Sequence, residues 1–213
     1  MKKGLDHIIV VIDKSGSMDV AKNETITGFN KFIEEQKNLK DRNAFITVIQ
    51  FNTDYNFYCK NIPINEVKDL NESAYRPYGF TAYFDALGKA IDETGIYLDG
   101  LTEDEKPENV IMVSITDGQE NASKEYNSEK IKNMIKHQQD KYLWKFIFLS
   151  AGEEAFKTIK SLNIDPSFTY KFDNGARGIN SSYLSMSMGT TCMRTSCYNK
   201  KDILDKTGQK ESD

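Results

Sequence analysis

The chain has 213 residues, 38% hydrophobic and 28% charged, with a net charge of −4 from 28 Lys and Arg against 32 Asp and Glu. That length suits one substantial α/β domain and is short for two, and the 12 Phe and 11 Tyr can fill a large core. The charge balance argues against non-specific nucleic-acid binding, which depends on Lys and Arg neutralising phosphates, and no apolar run approaches the ~20 residues of a membrane span.

In chain order, Met1-Lys-Lys-Gly passes straight toward an apolar run without a small-residue cleavage pattern, so no signal peptide is expected and a cytoplasmic location is. Residues 7 to 13 form the first strand: His7 to Ile12 (HIIVVI) is continuously apolar, as in a parallel strand covered on both faces. Residues 22 to 40 predict a helix with Ile26, Phe29, Phe32, Ile33 and Gln36 on one stripe. Asn43 to Phe51 predicts a second strand, and residues 55 to 62 an antiparallel edge strand after an Asn52-Thr-Asp54 turn, ended by Pro63. A short helix is expected over 64 to 70. Residues 81 to 99 place Phe84, Leu87, Ile91, Thr94 and Leu98 at helical spacing, and the polar stretch 100 to 109 is a loop before a strand at 110 to 116.

Further on, Ser128 to Asp140 predicts a helix capped by Asn127 or Ser128, Trp144 to Ser150 a strand, Glu153 to Leu162 a helix and Ser167 to Phe172 a last strand. Strands alternating with helices imply a mostly parallel sheet covered on both faces. Over 177 to 197, Ile179, Tyr183, Met186, Thr190, Met193 and Cys197 recur at steps of three and four. The expectation is a final helix packed on the sheet, with a movable or dimerising helix as the alternative. The domain is expected to span residues 1 to 198, and residues 199 to 213 form a polar tail whose anchors are Ile203 and Leu204. Cys59, Cys192 and Cys197 are odd in number and too sparse for a secreted disulfide framework or a zinc site, and read as packed thiols. A Cys192–Cys197 bridge is disfavoured because side chains five helical residues apart diverge.

Chemistry concentrates in three distant segments: Asp13-Lys-Ser15-Gly-Ser17-Met18, Gly79-Phe-Thr81 and Thr116-Asp117-Gly118. Asp13 and Asp117 each stand where an apolar run, HIIVVI or VIMVSI, gives way to a polar loop. Two carboxylates and three hydroxyls are the hard oxygen donors of a magnesium site, with manganese or calcium as alternative ions. Taken alone, Asp13 with Ser15 and Ser17 also fits a strand-to-helix turn with capping hydroxyls.

The order Asp-x-Ser-x-Ser, then Gly-x-Thr some sixty residues on, then Thr-Asp-Gly after a later strand resembles the metal-ion-dependent adhesion site of von Willebrand factor A domains, and the resemblance covers roughly residues 5 to 197. It implies a Rossmann-like, doubly wound, mostly parallel six-stranded sheet with one antiparallel edge strand, in the order 3-2-1-4-5-6. Asp13 and Asp117 then leave neighbouring strands at the reversal of strand order, where ligands bind. It implies Ser15, Ser17 and Thr81 as direct hydroxyl ligands, Asp13 and Asp117 acting largely through water, and a last position filled by a partner's carboxylate. Gly16 and Gly118 serve as tight-turn positions. Phe80 departs from the family, which often has a second Gly there, and places an aromatic ring near the metal. Lys14 fits between the ligands if it points to solvent.

The function expected is a non-enzymatic, metal-dependent binding module that captures an acidic residue of another protein. Its rim would come from loops 18 to 22, 52 to 56, 78 to 83, 118 to 126 and 151 to 154, with Tyr55, Tyr78, Phe80, Tyr83 and Tyr126 as aromatic anchors. Asp19, Asp54, Asp85 and Glu120 read as solvated surface carboxylates, and His7 and His137 as structural or solvated. The alternatives are a magnesium-dependent phosphatase of the haloacid dehalogenase type with Asp13 as nucleophile, disfavoured by Ser15 where that family needs a second Asp, and a metal-independent scaffold of the same fold. The absence of Gly-x4-Gly-Lys-Ser/Thr argues against a P-loop nucleotidase.

Overall fold

The computed structural model describes residues 1–162, 169–173 and 175–195. Its strands are β1 Lys2–Asp13, β2 Asn43–Phe51, β3 Tyr55–Pro63, β4 Pro107–Thr116, β5 Lys145–Ala151 and β6 Thr169–Phe172, and its helices α1 Lys22–Lys37, α2 Tyr83–Asp99, α3 Ser128–Tyr142, α4 Glu153–Ser161 and α5 Ala176–Thr195. The strands form one sheet in the order β3-β2-β1-β4-β5-β6. Only the β2–β3 pair is antiparallel, and the other four pairs are parallel.

The alternation of β1 explains why its sequence is apolar without a break. Ile8, Val10 and Ile12 enter a core with Phe29 and Phe32 of α1 and Ile179, Tyr183 and Met186 of α5. Ile9 and Val11 enter the opposite core, with Tyr83, Leu87 and Ile91 of α2 and Ile131 and Ile135 of α3. Successive side chains point to opposite faces, so a strand sandwiched between helix layers has no polar face to show. α5 is packed on the sheet as expected, with Ile179, Tyr183, Met186, Thr190 and Met193 buried. Cys197, the polar tail with Ile203 and Leu204, and the start of the expected last strand at 167 and 168 lie outside the described residues. Cys59 and Cys192 are partly buried.

Several boundaries move. β1 starts at Lys2 and β4 at Pro107, because the Lys2 N–H bonds the Lys106 carbonyl and Lys2 pairs with Pro107 before an irregularity preceding Asp6. α3 runs to Tyr142 and closes on Leu143 in the left-handed region (φ 58), and Asn127 is its cap, its side chain accepting from the Lys130 N–H. The helix expected over 64 to 70 is instead one 3-10 turn, Ile64–Glu66. The cause lies on α1: the Asn30 side chain accepts from the Leu70 N–H at 2.7 Å and donates to the Leu70 carbonyl at 3.0 Å, occupying backbone groups a helix would use.

Candidate metal centre

Asp13 ends β1 and Thr116 ends the adjacent β4, so both chains turn away from the sheet at the same place, between two neighbouring strands at the reversal of strand order. After Asp13 the chain forms a 3-10 helix, Gly16–Ala21, before α1. The Ser15 N–H donates to Asp13 Oδ1 at 2.7 Å, closing an Asx-type turn that folds both serines back over the strand end. Ser15 Oγ lies 3.2 Å from Ser17 Oγ, and the Ser17 hydroxyl donates to Asp117 Oδ1 at 2.6 Å. The second segment joins through backbone bonds: Gly16 N–H to the Gly79 carbonyl at 3.0 Å and Tyr78 N–H to the Lys14 carbonyl at 2.9 Å. Gly79 has φ +78, a conformation L side chains rarely adopt.

Gly118 shows how tightly the third segment closes. A Cβ there would stand 2.7 Å from Thr81 Oγ1 and 3.5 Å from Asp13 Oδ2. A side chain at that position would press on the Thr81 hydroxyl and touch the Asp13 carboxylate, so the three segments are packed close together there. All five residues named from the sequence, Asp13, Ser15, Ser17, Thr81 and Asp117, therefore gather around one small volume.

The carboxylate chemistry is unusual for a fold's interior. Asp13 is 0% exposed, and its oxygens accept from the Ser15 N–H and the Thr116 hydroxyl, both neutral donors. Burial pushes the Asp13 carboxyl up to about 7, against the pull of the Thr116 and Ser15 hydrogen bonds, and Asp117 adds to the rise. Burial also raises Asp117, opposed by the hydrogen bond from Ser17. Among the described residues neither carboxylate forms an ion pair with a lysine or arginine. Nor do three or more His, Cys, Asp or Glu side chains group as metal ligands there, so a cation held at this point relies on hydroxyls as well as carboxylates. Hydroxyl and carboxylate oxygens with room for water are donors that magnesium, manganese and calcium accept.

Several supporting residues went unassigned in the sequence. Thr116 bridges Asp13 and the Gly118 N–H, the latter at 3.2 Å. It stands inside the Thr-Asp-Gly segment, so the motif carried a signal for it. The buried Tyr75 donates its hydroxyl to the Asp13 carbonyl at 2.6 Å. Asn52 donates to the Tyr78 carbonyl at 2.8 Å, and Asn121 accepts from the Thr81 N–H at 2.9 Å. Asn52 stands in the turn already read from the sequence, but nothing local marks it, Tyr75 or Asn121 as a support of the centre.

Three expectations need correction. Asp85 and Glu120 are not merely solvated: Asp85 accepts from the N–H groups of Lys124, Glu125 and Tyr126, and Glu120 from those of Phe84, Ala122 and Ser123, so they tie the 118–126 loop to the start of α2. Lys14 does not point to solvent. It is 9% exposed, and its Nζ lies over the Tyr78 ring, 5.6 Å from the centroid. Tyr83 is no rim anchor, being fully buried on the first turn of α2 with its hydroxyl 2.7 Å from Ser114 Oγ. His7 is buried in the middle of β1, away from Asp13, where burial lowers it to about 4, and His137 is exposed on α3.

The family model for the von Willebrand factor type A domain matches residues 7–181. A search of curated proteins finds no match. Among solved structures, proximal thread matrix protein 1 from the mussel byssus aligns with TM-score 0.60 at 14% identity, over 90% of this chain and 46% of that one. The ArnB paralog VWA2 from Sulfolobus acidocaldarius aligns with TM-score 0.54 at 15% identity, over 87% and 45%. The manganese-loaded TRAP protein of Plasmodium vivax aligns with TM-score 0.54 at 15% identity, over 81% and 70%. The chain thus spans under half the length of the mussel and Sulfolobus proteins, and at these identities the likeness is one of fold. The family match over most of the chain and the sheet order together place this protein in the von Willebrand factor type A domain family.

Proposed function

We propose that this domain is a metal-dependent protein-binding module in which Asp13, Ser15, Ser17, Thr81 and Asp117 hold a divalent cation and an acidic side chain of a partner completes its shell. Family membership supports a protein-interaction module in general terms. The observation that carries the finer reading is the Asp13 carboxylate: fully buried, bonded to neutral donors, and raised toward neutrality beside a second carboxylate. A buried carboxylate with no counter-charge is costly, and an outside cation removes that cost. A bound cation would supply a positive centre able to take a carboxylate from another molecule. The chain's own part is to fix the donors: Thr116 and the Ser15 N–H orient Asp13, Ser17 orients Asp117, and Asn121 anchors the backbone of Thr81. The manganese carried by the Plasmodium structure of the same fold is compatible with this proposal.

We read the domain as non-enzymatic and cytoplasmic. His7 lies in the middle of β1, away from Asp13, and His137 is exposed on α3, which leaves the centre without an imidazole to act as acid or base. No helix among the described residues is long and apolar enough to cross a membrane.

The test is a thermal melt and calorimetric titration with magnesium or manganese, comparing the native chain with Asp13→Ala and Thr81→Ala. A cation binding only the folded state raises the melting temperature by mass action. The expected result is a rise in the native chain that both substitutions remove, followed by chelator-sensitive capture of an acidic partner. No heat and no shift, or an undiminished shift in Thr81→Ala, would refute the site.

A further inference from the structure

The two loops that carry the hydroxyls also carry exposed apolar side chains. Val20 is 77% exposed, Tyr78 53% and Phe80 67%. Val20 follows Ser17 by three residues in the same 3-10 helix, and at three residues per turn the side chains of i and i+3 eclipse, so Val20 shares a face with the Ser17 hydroxyl. Tyr78 and Phe80 flank Gly79, whose carbonyl is bonded to Gly16. Phe80 immediately precedes Thr81.

These side chains stand on fixed backbone. Tyr78 is held on both sides, its N–H by the Lys14 carbonyl and its carbonyl by Asn52, while the Phe80 N–H donates to Thr53 Oγ1 at 3.1 Å. The Lys14 ammonium lies over the Tyr78 ring. Folding requires none of the three to be apolar, since each faces solvent. A pre-positioned apolar surface loses little freedom on binding, and aromatic side chains in such settings dominate interface energetics.

Building on the metal-dependent reading above, we propose that Val20, Tyr78 and Phe80 form an apolar collar around the centre, which selects a partner segment whose acidic residue has large apolar side chains next to it in sequence. Charge alone would not discriminate among acidic partners, because every aspartate or glutamate offers the cation the same carboxylate. The collar discriminates by apolar area buried beside that carboxylate. An acidic residue set among other acids or among serines leaves the collar wet.

The probe is an array of short synthetic peptides, each with one central glutamate and its two neighbours varied through Ser, Asp, Lys, Leu and Phe, read in magnesium and in chelator. The expected result is magnesium-dependent retention favouring Leu and Phe neighbours by about tenfold or more over Ser. In a Val20→Ser, Phe80→Ser double variant that preference should collapse, while the heat of magnesium binding measured without peptide stays at the native value. Retention that depends on magnesium and glutamate but is indifferent to the neighbours overturns the collar and leaves the metal-dependent module standing. An undiminished preference in the double variant also overturns it. Absence of any magnesium heat in the native chain removes the collar together with the metal-dependent reading on which it rests.

Discussion

Strand β1 buries an aspartate near each end, and the two are treated in opposite ways. Asp6 and Asp13 are both 0% exposed. Asp6 is met by the guanidinium of Arg42, by Arg194 Nε at 2.8 Å and by Asn109 Nδ2 at 2.8 Å. Arg194 also donates to the Gln36 carbonyl at 2.8 Å, so the last turn of α5 is bound to α1 and to β1 at the base of the sheet. Asp13 receives hydroxyl and amide donors only. The base is an electrostatically closed joint, and the top is a buried carboxyl with no charged partner of opposite sign among the described residues. The same residue type, on the same strand and equally buried, is charge-compensated or left uncompensated according to what stands opposite it.

The largest effect should come from opening the closed joint. Arg194→Ala removes one partner of a buried ion pair and should lower unfolding free energy by about 3–5 kcal/mol in urea titration. A loss below about 1 kcal/mol would mean that Arg42 alone compensates Asp6.

Next in size is the pH response of the open end. The folded Asp13 carboxyl titrates at about 7, against 3.8 in the unfolded chain. Between those values the folded state holds the extra proton, so in chelator this residue's contribution falls as pH rises from about 4 to 7. The full penalty, at most about 4 kcal/mol, is present above pH 7. Asp13→Asn removes that slope. The stability difference between variant and native chain, both in chelator, should shift toward the variant by a few kcal/mol between pH 4 and pH 8. Magnesium at a hundred times its dissociation constant should stabilise the native chain by about 2.7 kcal/mol and leave Asp13→Asn unchanged. Equal slopes for the two chains would show that Asp13 is not the strained group.

His7 sharpens the contrast from the middle of the strand. Its folded value of about 4 lies below the ordinary 6.5, so the unfolded state binds more protons between these values. Its contribution is intact above pH 6.5 and is lost as pH falls toward 4, by about 3 kcal/mol. His7→Gln should flatten the acid limb of the stability profile, opposite in sign to the Asp13 limb; an unchanged acid limb would place that loss elsewhere. The smallest effect expected is that of Tyr75→Phe, which removes one hydrogen bond to the Asp13 carbonyl and should cost about 1 kcal/mol by urea titration. A loss above about 3 kcal/mol would assign Tyr75 a larger part in holding the centre together.

What could be read from residues alone was whatever a short window of chain expresses. The apolar runs at 8–12 and 110–115, the helical stripes of Phe29, Phe32 and Ile33 and of Leu87 and Ile91, and the polar turns after Asp13 and Thr116 all report burial and periodicity locally. The five candidate donors were legible for the same reason, since each sits in a compact motif at a strand or helix end. Tertiary structure alone decided the rest. Arg194 reaches Asp6 across 188 positions and Thr116 reaches Asp13 across 103. Lys14 was drawn against Tyr78 and Tyr83 into the core, and Asn30 suppressed a helix forty residues downstream. Periodicity encodes which face of an element is buried. Whether a buried charge is compensated depends on which distant side chain arrives beside it, and no local pattern carries that.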